Sequence, residues 1–178
     1  MKQWTEYIKP VTVLLLICLL AGIVLSGINL LTAPAIAVND EAMQSAAYFA
    51  ALPEAEAFTE LECSTDGVTA ALAADNGKGY VIAAQSRGYG GMVPVVVAFS
   101  SDGTIQNVVM MDNGETPGMG SKVADPSFIE NFTGRSAVPM ALEDIDAITG
   151  ATISSRAALN AVNLAITEYQ SIIGGDGP

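Results

Sequence analysis

The chemistry-bearing side chains of this sequence concentrate in residues 146–152, which read DAITGAT and end at Thr152. Residues 153–159 have helix-forming composition, so we expect a helix to begin near Thr152. The first turn of a helix leaves backbone N–H groups unpaired and carries partial positive charge, which favours a phosphate group. Gly150 and Ala151 would let the backbone approach such a group closely. The alternative is an ordinary helix N-cap at Thr152 or Ser154.

The run DAITGAT resembles the D-x-x-[ST]-G-A-T flavinylation motif of the FMN-binding domain family. That family includes G subunits of Rnf complexes and C subunits of sodium-pumping NADH:quinone oxidoreductases. Its last motif threonine carries FMN through a phosphoester, which a flavin transferase makes from FAD with Mg²⁺. The resemblance therefore implies covalent FMN at Thr152. It also implies recognition or cofactor contacts at the flanking residues Asp146, Thr149, Gly150, Ala151, Ser154 and Ser155.

A second segment, residues 115–120 (ETPGMG), is similar to the E-T-P-G-L-G loop of the same family, with Met119 in place of leucine. Pro117 fixes one backbone dihedral, and Gly118 and Gly120 permit positive ones, so a pre-shaped loop is expected. An ordinary Pro-Gly turn is the alternative. The resemblance implies flavin contacts at Glu115, Thr116, Pro117, Gly118, Met119 and Gly120. The histidine that often precedes this loop in the family is absent here.

Residues 88–91 (GYGG) resemble the family's glycine-rich turn before a strand, with a simple loop as the alternative. The resemblance implies that Tyr89 packs on or near the flavin, because tyrosine offers an apolar face with a polar tip. The chain has no histidine, which excludes Ser-His-Asp, Cys-His and histidine-ligated metal sites. Neither Cys18 nor Cys63 lies in a CxxC or metal-ligand context. We therefore expect no catalytic residue and no metal ligand.

Residues 11–31 form an uncharged apolar run, long enough to cross about 30 Å of hydrocarbon as a helix. Lys2 and Lys9 precede the run and the next basic residue is Lys78, so the N-terminus is expected in the cytoplasm. The alternative is a signal peptide cleaved after the A-x-A site at residues 35–37. The apolar run exceeds the usual length of a signal core, which favours a retained anchor.

The part of the chain after the apolar run is strongly acidic. It holds 18 acidic and five basic residues, a net charge of −13, because one acidic and two basic residues precede the run. This charge disfavours nucleic acid and anionic headgroups as partners. It suits a solvated domain outside the cytoplasmic membrane.

The predicted fold class is α+β, with one transmembrane helix followed by a small antiparallel-rich sheet and packed helices. Strands are predicted at 78–85, 93–100 and 104–111, with a hairpin at 101–103 and helices at 126–132 and 153–172. Pro34 is expected to end the membrane helix, and a juxtamembrane helix should run from 39 to 52. The predicted divisions are a cytoplasmic stub (1–10), a transmembrane helix (11–31), a helix and spacer (32–53), an extracytoplasmic FMN-binding domain (54–173) and a flexible tail (174–178).

The resemblance implies an electron-carrying subunit of an Rnf-type complex, a membrane assembly linked to electron transfer between ferredoxin and NAD and to ion pumping. Such a subunit needs no complete active site of its own, since the flavin supplies the redox chemistry. Its expected partners are the other membrane subunits, a flavin transferase during maturation and the lipid bilayer. The alternatives are an FMN-bearing carrier for another extracytoplasmic reductase and an anchored structural subunit without flavin.

Overall fold

The structure is a computed structural model that describes the backbone of residues 2–174 and the side chains of residues 9–174. The chain divides after Gln44 into two compact units. The tail predicted at 174–178 lies outside the described residues apart from Gly174, and so do most side chains of the predicted stub at 1–10.

The first unit is formed by helix α1, Lys2–Ala51, whose last residues belong to the second unit. Residues 9–51 contain an 18-residue window of mean hydropathy 2.8, and no other described helix is long and apolar enough to cross a membrane. The predicted break at Pro34 is wrong, because α1 continues through both Pro10 and Pro34. A proline removes one backbone hydrogen bond, and the helix-forming residues on both sides of Pro34 outweigh that loss. The predicted helix at 39–52 is thus the end of α1.

The second unit contains a five-stranded antiparallel sheet in which each strand pairs with the next along the chain. The strands are β1 (Phe58–Leu61), β2 (Val68–Ala74), β3 (Gly79–Arg87), β4 (Met92–Ser100) and β5 (Ile105–Met110). The three predicted strands and the hairpin between β4 and β5 are confirmed. β1 and β2 were missed, since the alanine-rich sequence of β2 lacks the β-branched residues that mark a strand.

Helices cover both faces of the sheet. Helix α3, Thr152–Gly174, packs its small residues Ala157, Ala161 and Ala165 on one face, where each is at most 1% exposed. On the other face, Ala51 at the end of α1 and the following Leu52 pack against alternate residues of β2, β3 and β4. The short helix α2, Pro126–Ile129, ends earlier than predicted. The α+β fold class is confirmed, and the packing of α3 fixes its first turn beside the loops that follow β3 and β5.

Candidate functional site

Thr152 is the first residue of α3, and its side chain is exposed. The carbonyl of Ala151 accepts the first helical hydrogen bond, from Ser155 N–H at 2.9 Å, so Ala151 occupies the N-cap position. Within residues 9–174, no group hydrogen-bonds to the Thr152 hydroxyl. The N-cap alternative is therefore wrong for Thr152, whose hydroxyl is free to react or to bind.

The backbone around Thr152 presents unpaired donors. The N–H groups of Thr152, Ile153 and Ser154 have no protein acceptor in the described part of the chain. Gly150 precedes them with a φ of 83°, and a Cβ at that position would meet nothing within 4 Å. Unpaired N–H donors at the positive end of a 23-residue helix can bind an anionic group without any basic side chain.

These residues form one wall of a cleft of about 510 Å³. Ligand pockets in proteins usually measure about 300–1,000 Å³, so the cleft can hold a cofactor-sized group. The cleft brings together all three segments singled out in the sequence. Its lining consists of Tyr89, Glu115, Thr116, Met119, Gly120, Gly150, Ala151, Thr152, Ile153 and Ser154.

The loop 115–120 forms a second part of the cleft wall. The N–H groups of Met119 and Ser121 both donate to the carbonyl of Thr116, at 3.1 and 3.2 Å, which closes a tight turn. Of the two glycines that permit a positive φ, Gly118 adopts one of 76°, and Gly120 does not. Gly118 also donates to Ser121 Oγ at 2.9 Å. Pro117 and Gly118 shape the loop without lining the cleft.

Glu115 lies at the floor of the cleft and is 4% exposed. Its Oε1 accepts a hydrogen bond from Gly90 N–H at 3.0 Å, and its Oε2 accepts one from the Ser154 hydroxyl at 2.5 Å. These two side chains, both expected to contact the flavin, thus contact each other, while both residues also line the cleft. The sequence offered no signal for it, because the two residues are 39 positions apart.

Three further motif residues lie outside the cleft lining. Ser155 is fully buried, accepts a hydrogen bond from Ile148 N–H at 3.0 Å and donates to the Ala151 carbonyl at 3.1 Å, which folds the turn before α3. Asp146 and Thr149 are exposed. Asp146 donates its N–H to Asn131 Oδ1 at 2.8 Å and leaves its carboxylate in solvent, where another protein could contact it.

Large apolar side chains surround the mouth of the cleft. Tyr89 is 75% exposed, Met119 51% and Ile153 55%. Ile153 was not among the predicted site residues, although its place directly after Thr152 in an N-terminal helical turn could have indicated it. Together these side chains offer apolar surface beside the unpaired N–H groups of α3.

Comparison with known proteins matches the part of the chain that forms the cleft. The FMN-binding domain family model matches residues 88–167, which include all three site segments. The chain is 28% identical over 165 residues to the G subunit of the proton-translocating ferredoxin:NAD(+) oxidoreductase complex of Clostridium ljungdahlii, covering 89% of each chain. It is 33% identical over 129 residues to the G subunit of the ion-translocating oxidoreductase complex of Methanosarcina acetivorans, covering 65% of this chain and 69% of that protein.

Among solved structures, the fold resembles that of the C subunit of the Na(+)-translocating NADH-quinone reductase from Parabacteroides distasonis. The TM-score is 0.51 at 21% identity, over 62% of this chain and 63% of that chain. At this identity the likeness supports the α+β fold of the second unit. The sequence matches decide the family: the chain belongs to the G-subunit family of ion-translocating oxidoreductase complexes and carries its FMN-binding domain.

Proposed function

We propose that Thr152 carries FMN through a phosphoester and that the chain transfers electrons through this flavin. The observation that supports the proposal most strongly is the free, exposed Thr152 hydroxyl at the edge of a 510 Å³ cleft, beside unpaired helix N–H groups. A threonine in this setting has no structural hydrogen bond to lose when it is esterified.

The residues of the cleft fit FMN in two respects. The N–H groups of Thr152, Ile153 and Ser154 suit the phosphate, and the apolar surfaces of Tyr89 and Met119 suit a planar ring system. Bound FMN would supply reversible electron transfer. The side chains of this domain hold and shield the group. Thr149, Gly150 and Asp146 are proposed as the residues that a flavin transferase recognises.

In the proposed attachment, the Thr152 oxygen forms a bond to the FMN-side phosphorus of FAD. The bond from that phosphorus to the bridging oxygen breaks, AMP leaves and the hydroxyl proton is released. A separate flavin transferase with Mg²⁺ catalyses the step, so this chain needs no base of its own. Covalent attachment would retain the flavin in a domain outside the cell membrane.

The proposed setting is an Rnf-type ion-translocating ferredoxin:NAD oxidoreductase, by analogy with the activity named for the Clostridium relative. Residues 11–31 would anchor the chain, with a cytoplasmic stub before them and the spacer 32–53 after them. The FMN-binding domain at 54–173 would then lie outside the membrane. Other membrane subunits would donate and accept the electrons. Co-purification of those subunits with a tagged copy tests this setting, and isolation of the chain with a different reductase would contradict it.

Flavin attachment is tested by co-expressing the full-length chain with a flavin transferase and denaturing it. We expect yellow fluorescence that survives denaturation, with the mass of FMN on the peptide containing Thr152. Thr152→Ala should abolish both. Thr167→Ala is the matched control, because Thr167 is another exposed threonine of α3, far along the helix from the cleft. Absence of FMN from the unmodified chain, with active transferase present, would refute the proposal.

A further inference from the structure

Glu115 is the charged side chain of the cleft lining, and it is buried with both carboxylate oxygens hydrogen-bonded within the protein. Among the described residues only two carboxylates are buried, those of Glu115 and Glu168. A carboxylate is a pure hydrogen-bond acceptor, and each oxygen of Glu115 receives one donor. The two donors come from different segments, Gly90 in the loop after β3 and Ser154 in the first turn of α3.

The neighbouring glycines are needed to admit this carboxylate. A Cβ on Gly88 would lie 2.3 Å from Glu115 Oε1, and a Cβ on Gly120 would lie 2.7 Å from Glu115 Oε2 and from Ser154 Oγ. Any side chain at either position would displace the carboxylate. The three segments that form the cleft therefore meet at one side chain, and two of their glycines make room for it.

This contact lies next to the groups that would receive the flavin. Ser154 is two residues after Thr152 in the same helical turn, and Gly90 follows Tyr89 at the mouth of the cleft. Loss of the carboxylate would leave the Ser154 hydroxyl and the Gly90 N–H without their partner. The first turn of α3 and the loop 88–91 would then move independently of each other.

We propose that Glu115 is a positioning residue, which holds the first turn of α3 and the loop 88–91 in the arrangement that Thr152 needs for flavin attachment. Its consequence for attachment rests on the function proposed above. Its effect on the two segments does not depend on the flavin and can be measured in the flavin-free chain.

The first measurement is amide hydrogen exchange of the full-length, flavin-free chain in detergent. We expect Glu115→Ala to speed exchange at least about tenfold at Gly88, Gly90 and Ser155, whose N–H groups are hydrogen-bonded, because their two segments lose the shared partner. Glu168→Gln is the matched control. Glu168 is a buried carboxylate on the same helix, but it binds Ser64 and Thr65, so its variant should speed exchange only around 64–65.

The second measurement is the initial rate of flavin attachment by the transferase at a temperature where every variant is folded. We expect Glu115→Ala to slow attachment at least about tenfold and Glu115→Gln to remain within about threefold, because the amide can accept from Gly90 and donate to Ser154. Ser154→Ala should slow attachment in the same direction as Glu115→Ala. The double variant should be little slower than Glu115→Ala alone, since both substitutions remove the contact between Glu115 and Ser154. Glu168→Gln should match the unmodified chain.

Unchanged exchange at Gly88, Gly90 and Ser155 in Glu115→Ala would overturn the proposal. Changed exchange with an unchanged attachment rate would also overturn it, because the contact would then serve stability alone. If exchange changes as expected while the unmodified chain gains no FMN, the positioning contact stands and the proposed flavin function fails.

Discussion

A methyl group on Gly120 would lie 2.7 Å from both Glu115 Oε2 and Ser154 Oγ, inside the contact distance of either atom. Gly120 itself is buried and does not have a positive φ. Its lack of a side chain therefore serves close packing, in contrast to Gly118, whose φ of 76° requires glycine for conformational reasons. Two glycines of one loop thus have different physical roles.

We expect Gly120→Ala to lower the free energy of unfolding by about 1–3 kcal/mol, the usual cost of overpacking a buried site. The same substitution should lower flavin attachment by displacing the Ser154 hydroxyl. Gly91→Ala is the control, because a Cβ there would meet nothing within 4 Å and the φ of Gly91 is not positive. Urea denaturation measures the free energy of unfolding of both variants. Equal values for Gly120→Ala and Gly91→Ala would contradict the packing argument.

The sequence motif was sufficient to single out Thr152 and to predict that a helix begins there, because both depend on a short-range pattern. The partner of Glu115 could not be predicted in this way. Its hydrogen bonds join residues 25 and 39 positions away, and only the packing of α3 on the sheet brings them together. Local patterns therefore identified the residues that line the cleft, with the exception of Ile153, and left unknown how they contact one another.

Helix α3 is attached to the rest of its domain at both ends. Its first turn contacts Glu115, and four turns later Glu168, 1% exposed, accepts hydrogen bonds from Ser64 N–H and Thr65 N–H, each at 2.8 Å. Burial raises the pKa of Glu168, but the hydrogen bonds from Thr65 and Ser64 together lower the pKa by more than burial raises it. The pKa of Glu168 therefore lies below its ordinary value. The charged form is thus favoured by folding.

This pKa predicts how stability depends on pH. A carboxyl group whose pKa is lower in the folded chain contributes stability that is fully present above the unfolded value of about 4.3 and is lost as pH falls through the folded pKa. We expect Glu168→Gln to cost about 1–3 kcal/mol at pH 7, because hydrogen bonds to a buried charge are lost. The difference from the unmodified chain should shrink below about pH 4. Urea denaturation at several pH values measures this difference in the free energy of unfolding. A difference that does not change with pH would refute a role for the Glu168 charge.

The elements differed in how well their sequences predicted them. β3 and β4 contain runs of valine, isoleucine and aromatic residues, which indicate buried strands on sequence alone. β2 is mostly alanine, which favours helix in isolation, and it becomes a strand because it pairs with β3 and packs under the last turn of α1. The predicted helix end at Pro34 was wrong because the local rule that a proline ends a helix was overridden by the long helical segments on both sides of it.

At the scale of the whole molecule, the acidic residues lie almost entirely after the apolar run, while Lys2 and Lys9 precede it. This asymmetry is the basis for the proposed orientation, because positive charge is retained on the cytoplasmic side of a membrane. Cys63 provides a direct test. It is an exposed, free thiol in the domain, whereas Cys18 lies within the candidate span.

We expect a membrane-impermeant maleimide to label Cys63 in intact cells. Cys63→Ser should abolish that labelling, and adding Gln3→Cys to the Cys63→Ser chain should restore it only after the cells are permeabilised. The thiolate is the reactive form, and partial burial together with the negative charges of Glu168 and Glu60 raises the pKa of Cys63, despite a backbone hydrogen bond from Ala71 that lowers it. Labelling should therefore be slow at pH 7 and rise about tenfold by pH 8. Labelling of Cys63 only after permeabilisation would place the domain in the cytoplasm and refute the orientation, because the thiol itself is exposed in the folded chain.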